Sequence, residues 1–402
     1  MISVDEAKKI IIENVHPLEP VQVHFQDALG FCLAEEVLSD IDMPPFNRSA
    51  MDGYAVVAED TIVAPVILKI IENIAAGGMP EKKVSRGCVS KIMTGASVPE
   101  GADAVVKFED TEDTEDESRV KIVKSVKGGS NISKRGEDMK VGQIVLHAGM
   151  PVRPQEIGIL ATVGKSKVKI YPAPTVGIIS TGNELVNVEE KPSSVQIRNS
   201  NSYSLASQAR RMNTAVEIFG IVRDRKEEIV REIKKGLQKD ILILSGGVSM
   251  GEYDLVGDVL KELGVCIYFE KVALRPGKPV IFGKKDKTWI FALPGNPVAS
   301  LVTFELFIYP AIRKLMGFSS LNRIVVKAVL KTDVSTKRKR REFRPAVYQW
   351  KESELSASPV EWHGSADLLA TTKANCLLII PEEVEKLSKG QLVDIILLDN
   401  NY

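Results

Sequence analysis

Cysteine and histidine are scarce, with four of each in 402 residues. Cys32, Cys88, Cys266 and Cys376 lie far apart and match neither a C-x-x-C pair nor a zinc-ligand spacing, so they read as buried structural thiols. His16, His24, His147 and His363 are equally scattered, which leaves a soft-metal site and a Ser-His-Asp triad without support. Excess charge is missing too, because 53 basic residues cancel 53 acidic ones. A pI near 6.9 gives no general attraction to nucleic acid or to an acidic membrane, so any anionic ligand must be held by local groups. No stretch approaches the ~18 apolar residues of a membrane span. Residues 1–8 lack the basic-then-apolar order of a secretory signal, and a cytoplasmic location is expected.

The length exceeds one ordinary core, so two to four structural units are expected. Ser3 and Glu6 form a capping-box pattern ahead of Ala7, Ile10 and Ile11, which predicts a helix over 3–14. From 62 to about 146 short β-rich runs follow (63–71, 87–93, 104–108, 120–126), and they read as a small all-β lobe. The acidic run 109–117 between two of them reads as a solvated hairpin loop. A helix is predicted within 151–164, and Pro172-Ala173-Pro174 marks a boundary.

Beyond that boundary strands and helices alternate. Strands are predicted at 176–180, 215–222, 241–244, 280–282 and 289–293, and helices at 202–212, 225–237, 253–263 and 298–316. This order implies a parallel doubly wound sheet, whose ligands bind beyond the carboxyl ends of the strands. Residues 322–402 return to short strands (324–330, 346–349, 376–380, 392–397) and suggest a compact β-barrel-like unit.

Four loops carry candidate chemistry. Gly246, Gly247 and Ser249 follow the strand 241–244 directly, where consecutive glycines let N–H groups approach a phosphate; a plain glycine turn capped by Asp254 is the alternative. Thr181-Gly182-Asn183-Glu184 and Pro294-Gly295-Asn296-Pro297 occupy equivalent strand ends. Arg275 and Lys278 add two cations on a proline-stiffened loop. Glu184, Asp224 and Asp254 would supply hard oxygen ligands for Mg²⁺. A fifth loop, 42–55, presents Asp52 between rigid turn residues, either as a site carboxylate or as an Asx-turn that satisfies its own backbone. The basic run 337–341 reads as a solvated loop, with Arg341 or Arg344 reaching the ligand as the sharper alternative.

Taken in order, the segments 49–55, Met93-Thr94-Gly95-Ala96, Gly136-Glu137-Asp138, 180–185, 245–252, 276–279 and 293–298 resemble the molybdopterin molybdenumtransferases, the MoeA and gephyrin E-domain family. The resemblance covers essentially the whole chain. It implies a multidomain elongated protein of α/β plus β class: a linking domain (1–45 plus 142–172), an inserted β-rich lobe (46–141), a mostly parallel α/β molybdopterin-binding domain (173–318) and a C-terminal β-barrel-like domain (319–402). The implied reaction takes adenylylated molybdopterin and molybdate and, with Mg²⁺, releases AMP and leaves molybdenum on the dithiolene. Asp52, Thr94, Glu184, Asp224, Asp254, Lys278, Arg344 and Ser365 fall on family functional positions, with Gly95 beside Thr94. The resemblance also implies a homodimer whose cleft joins the β lobe of one chain to the α/β domain of the other, and a molybdopterin adenylyltransferase as a partner.

Two positions depart from the family pattern. Ser133 stands where an arginine is usual, with Lys134 or Arg135 as replacements, and Ala299 stands where many relatives carry a serine. A gephyrin-like scaffold that binds partner peptides, and a molybdopterin adenylyltransferase, whose domain resembles 173–318, are the competing functions. The full set of carboxylates and glycine loops argues against the first, and the β lobe and C-terminal barrel against the second.

Overall fold

Ile241–Ser245 and Thr288–Leu293 are apolar at nearly every position, a pattern that suits a strand covered on both faces. The computed structural model, which describes residues 1–248, 255–336, 339–351 and 354–398, places them at the centre of a six-stranded sheet. The order is Ala215–Val222, Thr175–Thr181, Ile241–Ser245, Thr288–Leu293, Pro279–Lys285, Cys266–Lys271. Alternate residues feed two cores. Ile178, Ile243 and Phe291 pack with the helices Asn201–Arg210 and Pro297–Thr303, whereas Ile179, Leu244 and Ala292 pack with Lys226–Gly236 and Leu255–Glu262.

The first four strands are parallel, but Pro279–Lys285 runs antiparallel to Thr288–Leu293, and the edge strand Cys266–Lys271 is antiparallel to it in turn. The sheet is therefore mixed rather than purely parallel. Cys266 opens that edge strand and is exposed, which corrects the expectation of four buried thiols; Cys88 is half-buried, while Cys32 and Cys376 are buried. Burial pushes the Cys376 thiol up to about 12 and that of Cys32 up to about 11.

The apolar stretch 298–316 is also not one regular helix. It runs as Pro297–Thr303, a π-turn Phe304–Ile308 and Tyr309–Leu315, with Tyr309 N–H bonding the Phe304 carbonyl. Pro310 has no N–H to continue the regular ladder, and the wider turn accommodates that loss.

At the C-terminal end the strands Arg341–Lys351, Glu354–Pro359, Val325–Leu330, Leu392–Leu397 and Cys376–Ile380 pair in that order, and Cys376–Ile380 pairs back onto Arg341–Lys351. The sheet closes into a barrel around Ala328, Ala346, Leu378 and Ile395. Leu274–Arg275 joins its edge in parallel register with Arg341–Lys351, so Arg275 lies opposite Glu342. The predicted N-terminal helix forms as Val4–Asn14, with Ser3 Oγ accepting from Glu6 N–H at 3.1 Å. All of these elements belong to one compact unit, residues 1–34, 149–153 and 168–402.

The second unit, residues 35–148 and 154–167, is built on another six-stranded sheet in the order Ala104–Lys107, Gly53–Val56, Cys88–Ile92, Val66–Ile74, Arg119–Ile122, Thr111–Asp113. Its core is Val56, Val89, Val106, Val120 and Ile122. The acidic run is more ordered than a loop: Thr111–Asp113 pairs with Arg119–Ile122, and Asp116 accepts from Ser118 N–H at 2.9 Å in the turn between them. Gly53 sits where a Cβ would stand 1.9 Å from the Val106 carbonyl, so only glycine lets the residue after Asp52 enter the sheet.

Candidate active site

Strand register brings the glycine loops together. Thr181 lies opposite Val222, Ser180 opposite Ser245, and Ser245 opposite Leu293, so three loops and the turn carrying Asp224 leave the sheet at one edge. Pro279–Lys285 runs the other way and starts at that same edge, which delivers Lys278 there. The result is a cavity of about 700 Å³ lined by Thr181, Gly182, Glu184, Asp224, Gly246, Gly247, Val248, Arg275, Lys278, Pro294, Gly295, Asn296, Ala299, Arg340 and Ser365, among others.

Gly246 and Gly247 both have positive φ, 96° and 66°. A Cβ on Gly246 would stand 2.4 Å from the Thr181 carbonyl, and one on Gly247 2.6 Å from Val256 and 2.8 Å from Thr181 Oγ1. The turn therefore requires glycine because it lies tight against its own scaffold, not because a side chain would occupy ligand space. Gly295 is open: beyond its chain neighbours, Gly246 Cα, at 3.7 Å, is the only atom of the described residues within 4 Å of its would-be Cβ. Asn296 Nδ2 donates to Ser365 Oγ at 2.8 Å, and Val298 N–H bonds the Ser365 carbonyl at 3.0 Å, which ties the barrel-side loop to the sheet edge. Ala299 brings no hydroxyl to the wall, and the neighbouring Ser300 donates its own to the Pro294 carbonyl.

The cavity is electrically divided. Arg275, Lys278 and Arg340 supply positive charge. Arg275 is steadied by Glu342, a fully buried carboxylate 3.4 Å away that also takes the Arg344 guanidinium at 2.7 Å. Opposite in sign are Glu184 and Asp224. Burial, and then the nearby Glu184 charge, hold the Asp224 carboxyl above the usual carboxylate range, although Asn183 Oδ1, which accepts from Asp224 N–H, helps to fix the turn.

The basic run behaves differently from either expectation. Arg340 lines the cavity; Arg341 bonds Asp5 at 2.8 Å and Glu382 at 3.1 Å, and Arg344 is taken up by Glu342 and the Ser335 carbonyl. Arg340, Trp362 and Gly364 thus line the cavity without having stood out in the sequence as site residues. Arg344 was named instead, but it is not among the residues that line the cavity. Asp254 and Ser249 lie outside the described residues.

Asp52, Thr94 and Gly95 come together in the second unit. The Asp52 carboxylate accepts from Thr94 N–H at 2.7 Å and from Thr94 Oγ1 at 2.9 Å, and these bonds hold it below the usual range. Its partner is 42 residues away in sequence, so this is not a local Asx-turn. Gly95 N–H bonds the Ser49 carbonyl at 2.8 Å and Phe108 N–H bonds the Asp52 carbonyl at 3.1 Å, which fixes both loops. Asp52 and Thr94 are exposed. Of the replacements for the missing arginine at Ser133, Arg135 is engaged by Asp42 at 2.7 Å.

Comparison with known proteins gives the family. Residues 2–164 match the MoeA N-terminal region (domain I and II), residues 177–314 a probable molybdopterin binding domain, and residues 327–398 the MoeA C-terminal region (domain IV). The molybdopterin molybdenumtransferase of Staphylococcus epidermidis is 35% identical over 405 residues, covering 100% of this chain and 96% of that protein. That of Bacillus subtilis is 35% identical over 404 residues, covering 99% and 94%. The crystal structure of the molybdopterin biosynthesis moeA protein from Pyrococcus horikoshii OT3 superposes with a TM-score of 0.85 at 30% identity, over 99% of this chain and 100% of that one. The chain belongs to the molybdopterin molybdenumtransferase (MoeA) family.

Proposed function

We propose that this protein works in molybdenum cofactor biosynthesis, inserting molybdenum from molybdate into adenylylated molybdopterin with Mg²⁺-dependent release of AMP. One observation carries the reading: a single cavity at the ends of parallel strands joins three cations, two carboxylates and three glycine loops. Arg275, Lys278 and Arg340 would bind and orient the pyrophosphate and the molybdate oxygens. Asn296 and Ser365 offer neutral hydrogen bonds beside them.

The residues present fit Mg²⁺. Glu184 and Asp224 are oxygen donors close enough for one to raise the other's carboxyl, and a dication held between them would offset that repulsion. When bound, Mg²⁺ supplies positive charge where phosphoryl oxygens gain negative charge during anhydride cleavage. Asp254 is proposed as a third acidic group, and Asp52 and Thr94 as further substrate-contacting residues. The proposal includes a homodimeric form, a cytoplasmic location, and supply of the substrate by a molybdopterin adenylyltransferase.

Incubation with adenylylated molybdopterin, molybdate and Mg²⁺, followed by an assay for AMP, tests the reading. AMP should appear with all three present and disappear when Mg²⁺ is chelated. Absence of AMP in the complete mixture would overturn it.

A further inference from the structure

Away from the charged cavity, the same unit gathers arginine at a second place. Arg211, Arg313 and Arg323 line a cavity of about 300 Å³ with Asn213, Tyr309 and Phe318 in its wall. It shares no residue with the first cavity, and none of the described residues that line it is acidic. Three segments bring the cations together. Arg211 caps the helix Asn201–Arg210, Arg313 stands in the last turn of Tyr309–Leu315, and Arg323 precedes the barrel strand Val325–Leu330.

Two of the guanidiniums are held in fixed planes. Arg313 lies 3.9 Å from the Phe318 ring centre, and its Nε donates to the Ser320 carbonyl. Arg323 lies 4.0 Å from the Tyr309 ring centre, and its Nε donates to Glu305 at 2.7 Å. Stacking uses the face of a guanidinium and leaves N–H groups at its edge for hydrogen bonds. The charges do not balance. Glu305 answers Arg323, but Arg313 has no carboxylate within ion-pair distance among the described residues. Like charges at one cavity repel, and a bound anion relieves that repulsion.

Asn213 adds a neutral donor. It is exposed, its backbone is left-handed with φ at 61°, and its amide bonds none of the described residues. Its Nδ2 lies over Gly30, where a Cβ would stand only 2.9 Å away, so a side chain there would push the amide aside. Cations that arrive from three segments favour a ligand with acceptors in several directions. A tetrahedral phosphate has them, whereas the acceptors of a carboxylate lie in one plane.

We propose that this cavity is an anion site, separate from the active cavity, that binds a phosphate-type dianion. Arg313 and Asn213 bond its oxygens, and Arg211 and Arg323 add positive charge. Two sources share this chemistry: inorganic phosphate, and a phosphate ester whose organic part lies on Met212 and Met316 in the same wall.

Calorimetry with inorganic phosphate and with phenyl phosphate tests the site in wild type, Arg313→Gln, Asn213→Asp and Lys278→Gln, the last marking any phosphate taken by the first cavity. Arg313→Gln and Asn213→Asp should each weaken phosphate binding by about tenfold, and Lys278→Gln should leave this site occupied. Aspartate also tolerates a left-handed backbone, so Asn213→Asp keeps its fold even if loss of the Phe318 stack unfolds Arg313→Gln. Tighter binding of phenyl phosphate identifies an ester as the ligand, and equal or weaker binding identifies free phosphate. Unchanged affinity in Asn213→Asp overturns the site. So does a wild type that binds no phosphate, or binding that vanishes entirely in Lys278→Gln, which would place all of it in the first cavity.

Discussion

Glu342 lies 3.4 Å from Arg275, and its buried carboxylate is the acid that steadies this cation at the cavity wall. The two meet because Leu274–Arg275 is hydrogen-bonded in register with the barrel strand Arg341–Lys351. Glu342→Gln keeps the shape and removes the charge, leaving Arg275 less firmly placed. The substrate KM should rise by about tenfold with a smaller change in kcat, as for an oriented charge contact that acts in binding. Glu342→Asp should recover part of the loss. An unchanged KM in a folded Glu342→Gln protein would show that Arg275 needs no such support.

Asp224 titrates above the usual carboxylate range because it is partly buried and near Glu184. The sign follows directly: the ionised form that would hold Mg²⁺ under the proposed function is lost earlier as pH falls than it would be for an ordinary aspartate. Mg²⁺ affinity, followed by calorimetry against pH, should therefore drop on an acid limb displaced upward. Glu184→Gln removes the repelling charge, so that limb should move to lower pH even though overall affinity weakens. A limb that stays in place would contradict the pairing of the two carboxylates.

Asp52 shows the opposite shift, since Thr94 donates to it twice. Thr94→Val removes the hydroxyl and keeps the backbone N–H, which is the larger cause of the lowering. The Asp52 carboxyl, observed by NMR titration, should rise only part of the way toward its ordinary value. A full return would mean that the backbone bond does not hold.

Gly247→Val should act on the fold before it acts on the ligand. Its side chain would meet Val256 at 2.6 Å and Thr181 at 2.8 Å in a left-handed backbone conformation. A loss of roughly 1–3 kcal/mol of stability is expected from strain of this kind. Thermal unfolding reads it directly, and an unchanged Tm together with lost ligand binding would restore the view that the position leaves room for a phosphate.

Five of the six strands of the central sheet were legible in the sequence, the innermost because they are apolar on both faces, and its helices because they are amphipathic; the edge strand Cys266–Lys271, half-exposed and ending in Glu270 and Lys271, was not. Ala215–Val222 was placed to the residue, and so were Cys376–Ile380 and Leu392–Leu397 in the barrel. The missed strands have physical reasons. Glu354–Pro359 carries Glu354, Ser356, Ser358 and Pro359, a polar pattern that reads as a loop until barrel closure supplies its partners. The break at Phe304–Ile308 was hidden because helical periodicity does not register a single lost N–H at Pro310. Within the site, the glycine loops, Glu184, Asp224, Arg275 and Lys278 stood out by type and position after a strand. Arg340 did not. Within a basic run only the tertiary register decides which residue faces the cavity, and among the described residues of this one it places Arg341 against Asp5 and Glu382 and Arg340 at the wall.

The central claim is that one cavity couples cleavage of the anhydride to insertion of the metal. The most direct test measures, in the same reaction, the AMP released and the molybdenum retained on the product. The account predicts equal amounts of the two with wild type, and loss of both together in Glu184→Gln and Asp224→Asn. Sustained AMP release without molybdenum on the product, or molybdenum insertion that proceeds without AMP, would contradict it.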